Sequence, residues 1–600
     1  MTPSASRDAI VVGSGLGGLT AAAYLAAAGQ RVLVLEGYDV LGGNSHVFRR
    51  KGQWEFDCGV HYIGDSGPHG QMPTLLSGLG LDDRIEFLPL DRDGFDTVVG
   101  PDLELRIPFG WDAFEANLVR TFPDEERAVR RWLRIMRRVG GSFSRSDGFE
   151  TPRDVLGLAW RSGVSAAWIA APSAALMVAC GLSPRAILAL SSQAGALAST
   201  TTVLPVVVHA GFLENYCANG AAYPRGGGQV LAAGLAEVVR SHDGEIRTHA
   251  HVERILIDGR RVRGVRLRSG EELLAPVVVA AGDIKKTYRD LVGDEHVSAR
   301  MAKRARNWTM GMPLLNTFVG VEIDLGATPN SNFFAIPNWD GAQSLRGLAR
   351  VGGRLMGGAA RRDPFTWAAD MAANQPVFVQ SSTRRDPSNA RSAPPGHAAI
   401  ELQTLVPAAP ASWGLHGSEV ASGAYRRNGD YRELKAIVVD GMLDRMEQVY
   451  PGSRSRVRWT ELGSPATHER YTGTTGGAAF GLESKLTQTG PFRPGTRTEI
   501  GGLFLAGAST RWGPGTEGSM TSGLQAAAAI TGRDLVGEVR SGAVIADRER
   551  LSTWPEDFDP LMACKRLGRR PLSAEQQRDE EDEASAPVGT EAAAPAGRHA

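Results

Sequence analysis

Three glycines near the N-terminus, Gly13, Gly15 and Gly18, stand with one residue and then two residues between them. That spacing suits phosphate chemistry. The first glycine permits a sharp turn, the second lets backbone N–H groups approach a pyrophosphate, and the third lets the next helix lie close on the preceding strand with its dipole facing the phosphates. Glu36 follows about 20 residues later, where a carboxylate takes a ribose hydroxyl pair. The apolar run AIVV precedes the glycines, an alanine-rich run follows them, and VLVL leads into Glu36. This order of strand, turn, helix, strand and acid is that of a dinucleotide-binding βαβ unit, whereas a purely structural glycine turn has no need of it.

Length and composition bound what surrounds this unit. The 600 residues allow two or more domains. Lys+Arg 66 against Asp+Glu 66 leaves no net field to gather nucleic acid, so no nucleic-acid function is expected. Cys58, Cys180, Cys217 and Cys564 are far apart, so neither a metal site nor a disulfide framework is indicated. The first strand begins within ten residues of Met1 and leaves no room for a secretory leader. A cytoplasmic protein is expected, with peripheral contact on the inner face of a membrane as a further option. The uncharged stretch 164–182 is interrupted by Pro172 and reads as a buried helix pair.

Two later segments return to the same logic. Gly226, Gly227 and Gly228 precede a helix to about Arg240, strand patterns over 245–248, 252–258 and 261–267, and an apolar run ending at Gly282. Near the end, an apolar run reaches Gly507, a glycine-rich loop passes through Gly513, Gly515 and Gly518, and a helix is expected from Ser519 to about Ile530. Three separated segments imply one discontinuous domain. The expected division is a Rossmann-type dinucleotide domain from 1–75, 222–300 and 480–540, with an inserted α+β substrate domain from 76–221 and 301–479. Residues 541–600 form a C-terminal extension, expected to be disordered from about 573 because it is acidic and has little apolar to bury.

Further residues carry a resemblance. Gly42 and Gly43 follow Glu36, and Glu55, Asp57, Gly59, His61, Tyr62 and Gly64 make an acidic-aromatic element. His209 to Tyr216, Tyr223-Pro224, Asp386-Pro387, Pro395-Gly396, Ser464-Pro465 and Phe504 to Gly507 continue the pattern. From about Asp8 to Ile530 the chain resembles the phytoene desaturase, carotenoid isomerase and retinol saturase group within the amine-oxidase-like flavoproteins, and looks most like the retinol saturase branch. Asn44 and Trp512 depart from the group's pattern and bear on substrate rather than fold.

The resemblance implies an α/β fold of amine-oxidase or glutathione-reductase type holding FAD. Gly13, Gly15, Gly18 and Glu36 would take its adenosine diphosphate end, with Gly42 and Gly43 near the ribityl and pyrophosphate and Val252 at the adenine, though Val252 reads equally as an inward strand residue. Gly282, Gly507, Gly515, Gly518, Ser519 and Met520 complete the cofactor candidates. The helix after Gly515 would aim N–H groups at the flavin's pyrimidine edge. The substrate implied is an apolar isoprenoid or polyene whose C=C bond is reduced. Desaturation or isomerisation of a carotenoid, amine oxidation, and flavin binding without turnover are the alternatives. The electron donor or acceptor stays open.

Saturating a C=C bond needs hydride at one carbon and a proton at the other. His61, Tyr62, His209, Glu214 and Tyr216 are proton-donor candidates by residue type, although a histidine in an apolar run is commonly a hydrogen-bonded core residue. Cys217 has no basic neighbour and reads as a packing residue. Between 127 and 138, Val129, Trp132, Leu133 and Met136 share one helical face and six arginines lie mostly elsewhere. That pattern suits an anionic membrane surface, and it suits a core-facing helix with solvated arginines, the preferred reading. Arg346, Arg350 and Arg354 also recur at helical spacing, but nearby glycines weaken a helix there.

Overall fold

The computed structural model describes residues 7–68, 70–145, 151–343 and 363–568. The run AIVV forms the fully buried strand Ala9–Val12, which pairs in parallel with Val32–Leu35 on one side and Val278–Ala280 on the other. Glu245–Arg247 and Leu503–Leu505 extend the two edges into a five-stranded parallel sheet. Side chains alternate along the central strand. Ala9 and Val11 join the core made with helices Leu16–Ala27, Gln229–Ser241 and Gly515–Thr531, while Ile10 and Val12 face Ile255 and Val265 of an antiparallel sheet on the other side. Burial on both faces explains why these strands are unbroken apolar runs.

Two helices of this layer approach closely enough to need glycine. A Cβ on Gly17 would lie 2.7 Å from Gly507 Cα, and one on Gly523 would lie 2.4 Å from Gly17 O. Helices Leu16–Ala27 and Gly515–Thr531 are thus in backbone contact at their N-terminal halves.

A second, seven-stranded sheet runs in the order Val457–Gly463, Leu314–Val321, Ala398–Leu405, Val377–Gln380, Asn332–Ala335, Asp96–Gly100, Leu103–Ile107. Leu315 and Val319 face a core with Met442 of helix Gly429–Val449 and Met371 of helix Pro364–Asn374. The alternate residues Leu314, Asn316 and Phe318 face a large cavity. Its opposite wall comes from helices between 143 and 216.

Two sequence expectations change. The stretch 164–182 is not a buried helix pair: 163–168 is a 3₁₀ segment, the helix is Ser173–Cys180, and Val164 is 97% exposed. The C-terminal helix spans Gly515–Thr531 rather than starting at Ser519, with Gly515 at φ +90° as the residue that turns the chain into it. Residues 541–568 fold back onto the parallel-sheet layer, where Leu551, Leu561 and Cys564 enter its core and Trp554 donates to Glu237. The tail from 573 and Arg346, Arg350 and Arg354 lie outside the described residues.

Candidate flavin and substrate site

Four glycine turns meet at the carboxyl ends of the parallel strands, where ligands bind in open α/β sheets. Gly13 has φ +99°, and its missing Cβ would be 3.4 Å from Gly282 N. Gly42 N donates to Ser14 O at 3.0 Å, and a Cβ on Gly43 would lie 3.1 Å from Gly15 Cα. Gly507, at φ +97°, closes the group against Ala281. At Gly15 and Gly282 an added Cβ would meet nothing within 4 Å. Space is therefore open at these two glycines, beside the free N–H groups that begin helix Leu16–Ala27. Gly18 serves packing, since its Cβ would collide with Gly13 O at 2.2 Å.

Glu36 ends the second strand and faces the glycine turn. Its carboxylate accepts from Ser14 N at 2.9 Å, Ser14 Oγ at 2.6 Å and Tyr38 N at 2.8 Å. Ala250 N donates to Glu36 O at 2.7 Å, which brings the strand entered at Val252 alongside. The Val252 side chain packs with Val12 and Leu35.

The helix beginning at Gly515 opens onto the cavity, which measures about 1240 Å³. Its first turn is 515–518, where Pro514 offers no capping side chain and the Glu517 carboxyl instead turns back onto the backbone. Ser519 and Met520 lie beyond that turn, so their amides belong to the helix ladder; the Met520 side chain is in the core. Neither residue lines the cavity. Gly518 is a packing position, with Trp512 O 2.5 Å from where its Cβ would stand. Trp512 itself lines the cavity, and its buried indole N–H has no hydrogen-bond partner.

Of the proton-donor candidates, the structure brings His61, Tyr62 and Tyr216 to the cavity wall and leaves His209 and Glu214 off it. His209 is 1% exposed, shares a 2.6 Å hydrogen bond with Ser173 Oγ, and burial depresses its pKa to about 4. It is a neutral core residue. Glu214 Oε2 accepts from Trp111 Nε1 at 2.8 Å and ties helix Trp111–Thr121 to the segment after helix Val206–Leu213. Cys217 is fully buried, which raises its thiol well above the usual range and makes it a packing residue.

His61 reaches the cavity with both ring nitrogens occupied, by Gln380 at 2.8 Å and Gln403 at 2.6 Å. A neutral imidazole has one N–H, so one amide must present its oxygen. Gln380 Nε2 also donates to Glu401, which makes Gln403 the acceptor. Burial holds the His61 pKa near 3. Tyr62 and Tyr216 pack with ring centroids 4.7 Å apart and planes tilted by 48°, and burial raises both phenols well above 10. The Tyr62 hydroxyl faces Asp96, outside hydrogen-bonding geometry.

Several cavity residues gave no sequence signal. Glu517, three places into the helix, is one; Asp65 and Asn215 stand near it. On the far wall His46 accepts from the Cys58 thiol at 3.3 Å while its other nitrogen donates to Gly43 O at 2.6 Å.

The family of flavin containing amine oxidoreductases matches residues 16–319 and 431–531. The chain belongs to that family. Among curated relatives, the all-trans-retinol 13,14-reductase of Danio rerio is 26% identical over 88% of this chain and 86% of its own length. The lycopene-forming phytoene desaturase of Pseudescherichia vulneris is 26% identical over 88% of this chain and all of its own. Among solved structures, putrescine oxidase bound to putrescine superposes with a TM-score of 0.59 at 14% identity, covering 88% of this chain and all of that one.

The protein is an FAD-dependent oxidoreductase, and its residues fit the cofactor. Space stands open at Gly15 and Gly282 beside the uncapped start of helix Leu16–Ala27, and at the cavity the Trp512 indole N–H is buried without a partner. When bound, FAD supplies two-electron exchange with a carbon centre. Glu36 would hold the ribose and the first turn after Pro514 would place partial positive charge at the ring.

Proposed function

We propose that this flavoenzyme acts on a carbon–carbon bond of a long apolar isoprenoid, reducing a C=C bond as its reductase relative's name implies. The cavity carries this reading. Leu405, Phe378, Ile187, Leu188, Val207 and Val178 are among the apolar side chains that line it. Burying a polyene there at about 25 cal/mol per Å² supplies binding without charged recognition groups. In this reading the parallel-sheet layer is the cofactor half and the seven-stranded sheet with the helices between 111 and 218 is the substrate half.

Desaturation or isomerisation uses the same wall and differs in the state of the electron partner. Amine oxidation has one observation in its favour, since Glu517, Asp65 and the Tyr62–Tyr216 pair supply the acid and aromatic groups that a small cation would need. The test is anaerobic mixing of holoenzyme with isoprenoids and with amines while the flavin colour is followed.

The same reading includes loading from an anionic lipid surface. Phe143 and Val178 both line the cavity and are 37% and 43% exposed, which sets them at its mouth. Leu156, Trp160 and Val164 stand exposed on the neighbouring segments, at 69%, 84% and 97%. Helix Glu126–Ser144 packs against these segments, and its exposed arginines include Arg127, Arg131, Arg134 and Arg138. Among the described residues no helix is long and apolar enough to cross a membrane.

A further inference from the structure

We propose that Glu517 is the proton donor of this cavity, delivering a proton to the substrate carbon opposite the one that receives hydride. The proposal rests on the carbon–carbon reading above and names the residue that reading lacks.

The geometry begins with the helix. Glu517 occupies its third position, on the turn that opens toward the cavity, and its carboxyl lines the wall. Oε1 accepts from Asn215 Nδ2 at 3.2 Å. Oε2 stands over Gly515, where a Cβ would come within 3.2 Å of it. Asn215 also fixes the opposite side, since a Cβ on Gly64 would meet its Nδ2 at 2.7 Å. The carboxyl is thus clamped between the strand Ile63–Gly64 and the helix start, with Tyr62 and Tyr216 beside it.

Its electrostatic surroundings favour exchange near neutral pH. The titratable groups facing it are Asp65, Tyr62 and Tyr216, with Asp96 behind the two phenols. Asp65 lines the same wall, and its Oδ2 accepts from Gln71 N at 3.0 Å. Arg540 lines the same cavity. Burial, reinforced by Asp65, raises the Glu517 pKa to about 7, against the lowering pull of backbone and Asn215 hydrogen bonds. An acid poised there gives up and regains a proton with little cost. The rivals are worse placed: His61 has no free nitrogen, His209 and Glu214 lie outside, and the phenols hold their protons too tightly.

The step balances as follows. Hydride adds to one carbon of the C=C bond, the π pair moves to the other carbon, and that carbon takes the Glu517 proton, leaving a carboxylate that solvent reprotonates. The two electrons are restored to the cofactor by an external donor, a reduced nicotinamide or dithionite. In the dehydrogenating direction the carboxylate takes the proton as hydride leaves.

The experiment compares wild-type holoenzyme with Glu517→Gln and Glu517→Asp. Difference infrared spectra across neutral pH should show a buried carboxyl C=O band titrating near 7 in the wild type and absent in Glu517→Gln. Flavin content should be retained. Isoprenoid reduction should fall about 100-fold or more in Glu517→Gln and recover in part in Glu517→Asp. Because the acid form is the active one in reduction, wild-type rate should decline as pH rises through about 7; the Gln variant should lack that decline. An unchanged band, or full turnover with an unchanged pH profile in Glu517→Gln, overturns the proposal. If the wild type turns over no isoprenoid, the carbon–carbon reading fails instead, and the infrared titration alone decides whether Glu517 is an acid poised near neutrality.

Discussion

Gly15 and Gly17 stand two positions apart on one helix start and meet different demands. A side chain at Gly15 would enter open space, at ordinary backbone angles of φ −60° and ψ 162°. A side chain at Gly17 would strike Gly507 and Ser519 O. Gly15→Val should therefore leave the thermal midpoint nearly unchanged while FAD content falls at least tenfold, because the new side chain takes the pyrophosphate's place. Gly17→Ala should lower stability by roughly 1–3 kcal/mol through forced separation of the two helices. Retained FAD in a folded Gly15→Val protein would show the pyrophosphate to lie elsewhere. Glycine spacing made this half of the site legible in sequence. The acid was not legible, because a single glutamate in a glycine-rich loop has no spacing signature. Nor were the amides that disarm His61, which come from 319 and 342 residues away in the chain.

Helix Glu126–Ser144 shows how an amphipathic pattern is divided between roles. Val129, Trp132, Leu133, Met136 and Val139 are all buried, so this face cannot also enter lipid. Arg130 pairs with Glu115 and Glu126, and Arg137 pairs with Asp112. The apolar contact falls to the neighbouring segments around Trp160 and Val164, which the sequence presented as a buried pair because hydrophobicity alone does not tell which way a short segment faces. Liposome flotation should separate the two contributions. Trp160→Glu with Val164→Glu should weaken binding to anionic vesicles at low and high salt alike. Changing Arg131, Arg134 and Arg138 to glutamate should weaken it at low salt, each arginine near the surface being worth about 1 kcal/mol and screened by salt. Unmodified protein that ignores anionic vesicles at low salt would refute lipid loading.

At the scale of the whole molecule, three separated stretches of chain build one parallel sheet, and residues 541–568 brace it from outside. Leu41 N donates to Cys564 O at 3.0 Å next to the Gly42–Gly43 turn, and Arg49 pairs with Asp559 at 2.7 Å. Truncation after residue 570 should leave flavin content and midpoint nearly unchanged. Truncation after residue 540 should lower both sharply, since Leu551 and Leu561 alone contribute about 1.5–3 kcal/mol each by burial. Equal stability of the two truncated forms would mean that the brace is dispensable. The glycine motifs made the sheet legible from sequence; the brace was not, because its contacts are scattered polar pairs and short apolar insertions without periodicity.

The central claim is that the cavity delivers an apolar C=C bond to the flavin. It is tested most directly by reducing the holoenzyme without oxygen, adding a long isoprenoid polyene, and following the return of the yellow colour together with the mass of the extracted lipid. The account predicts that colour returns and that the lipid gains two hydrogens. Colour that returns only with an amine-derived imine, while every polyene leaves both spectrum and lipid mass unchanged, would contradict it.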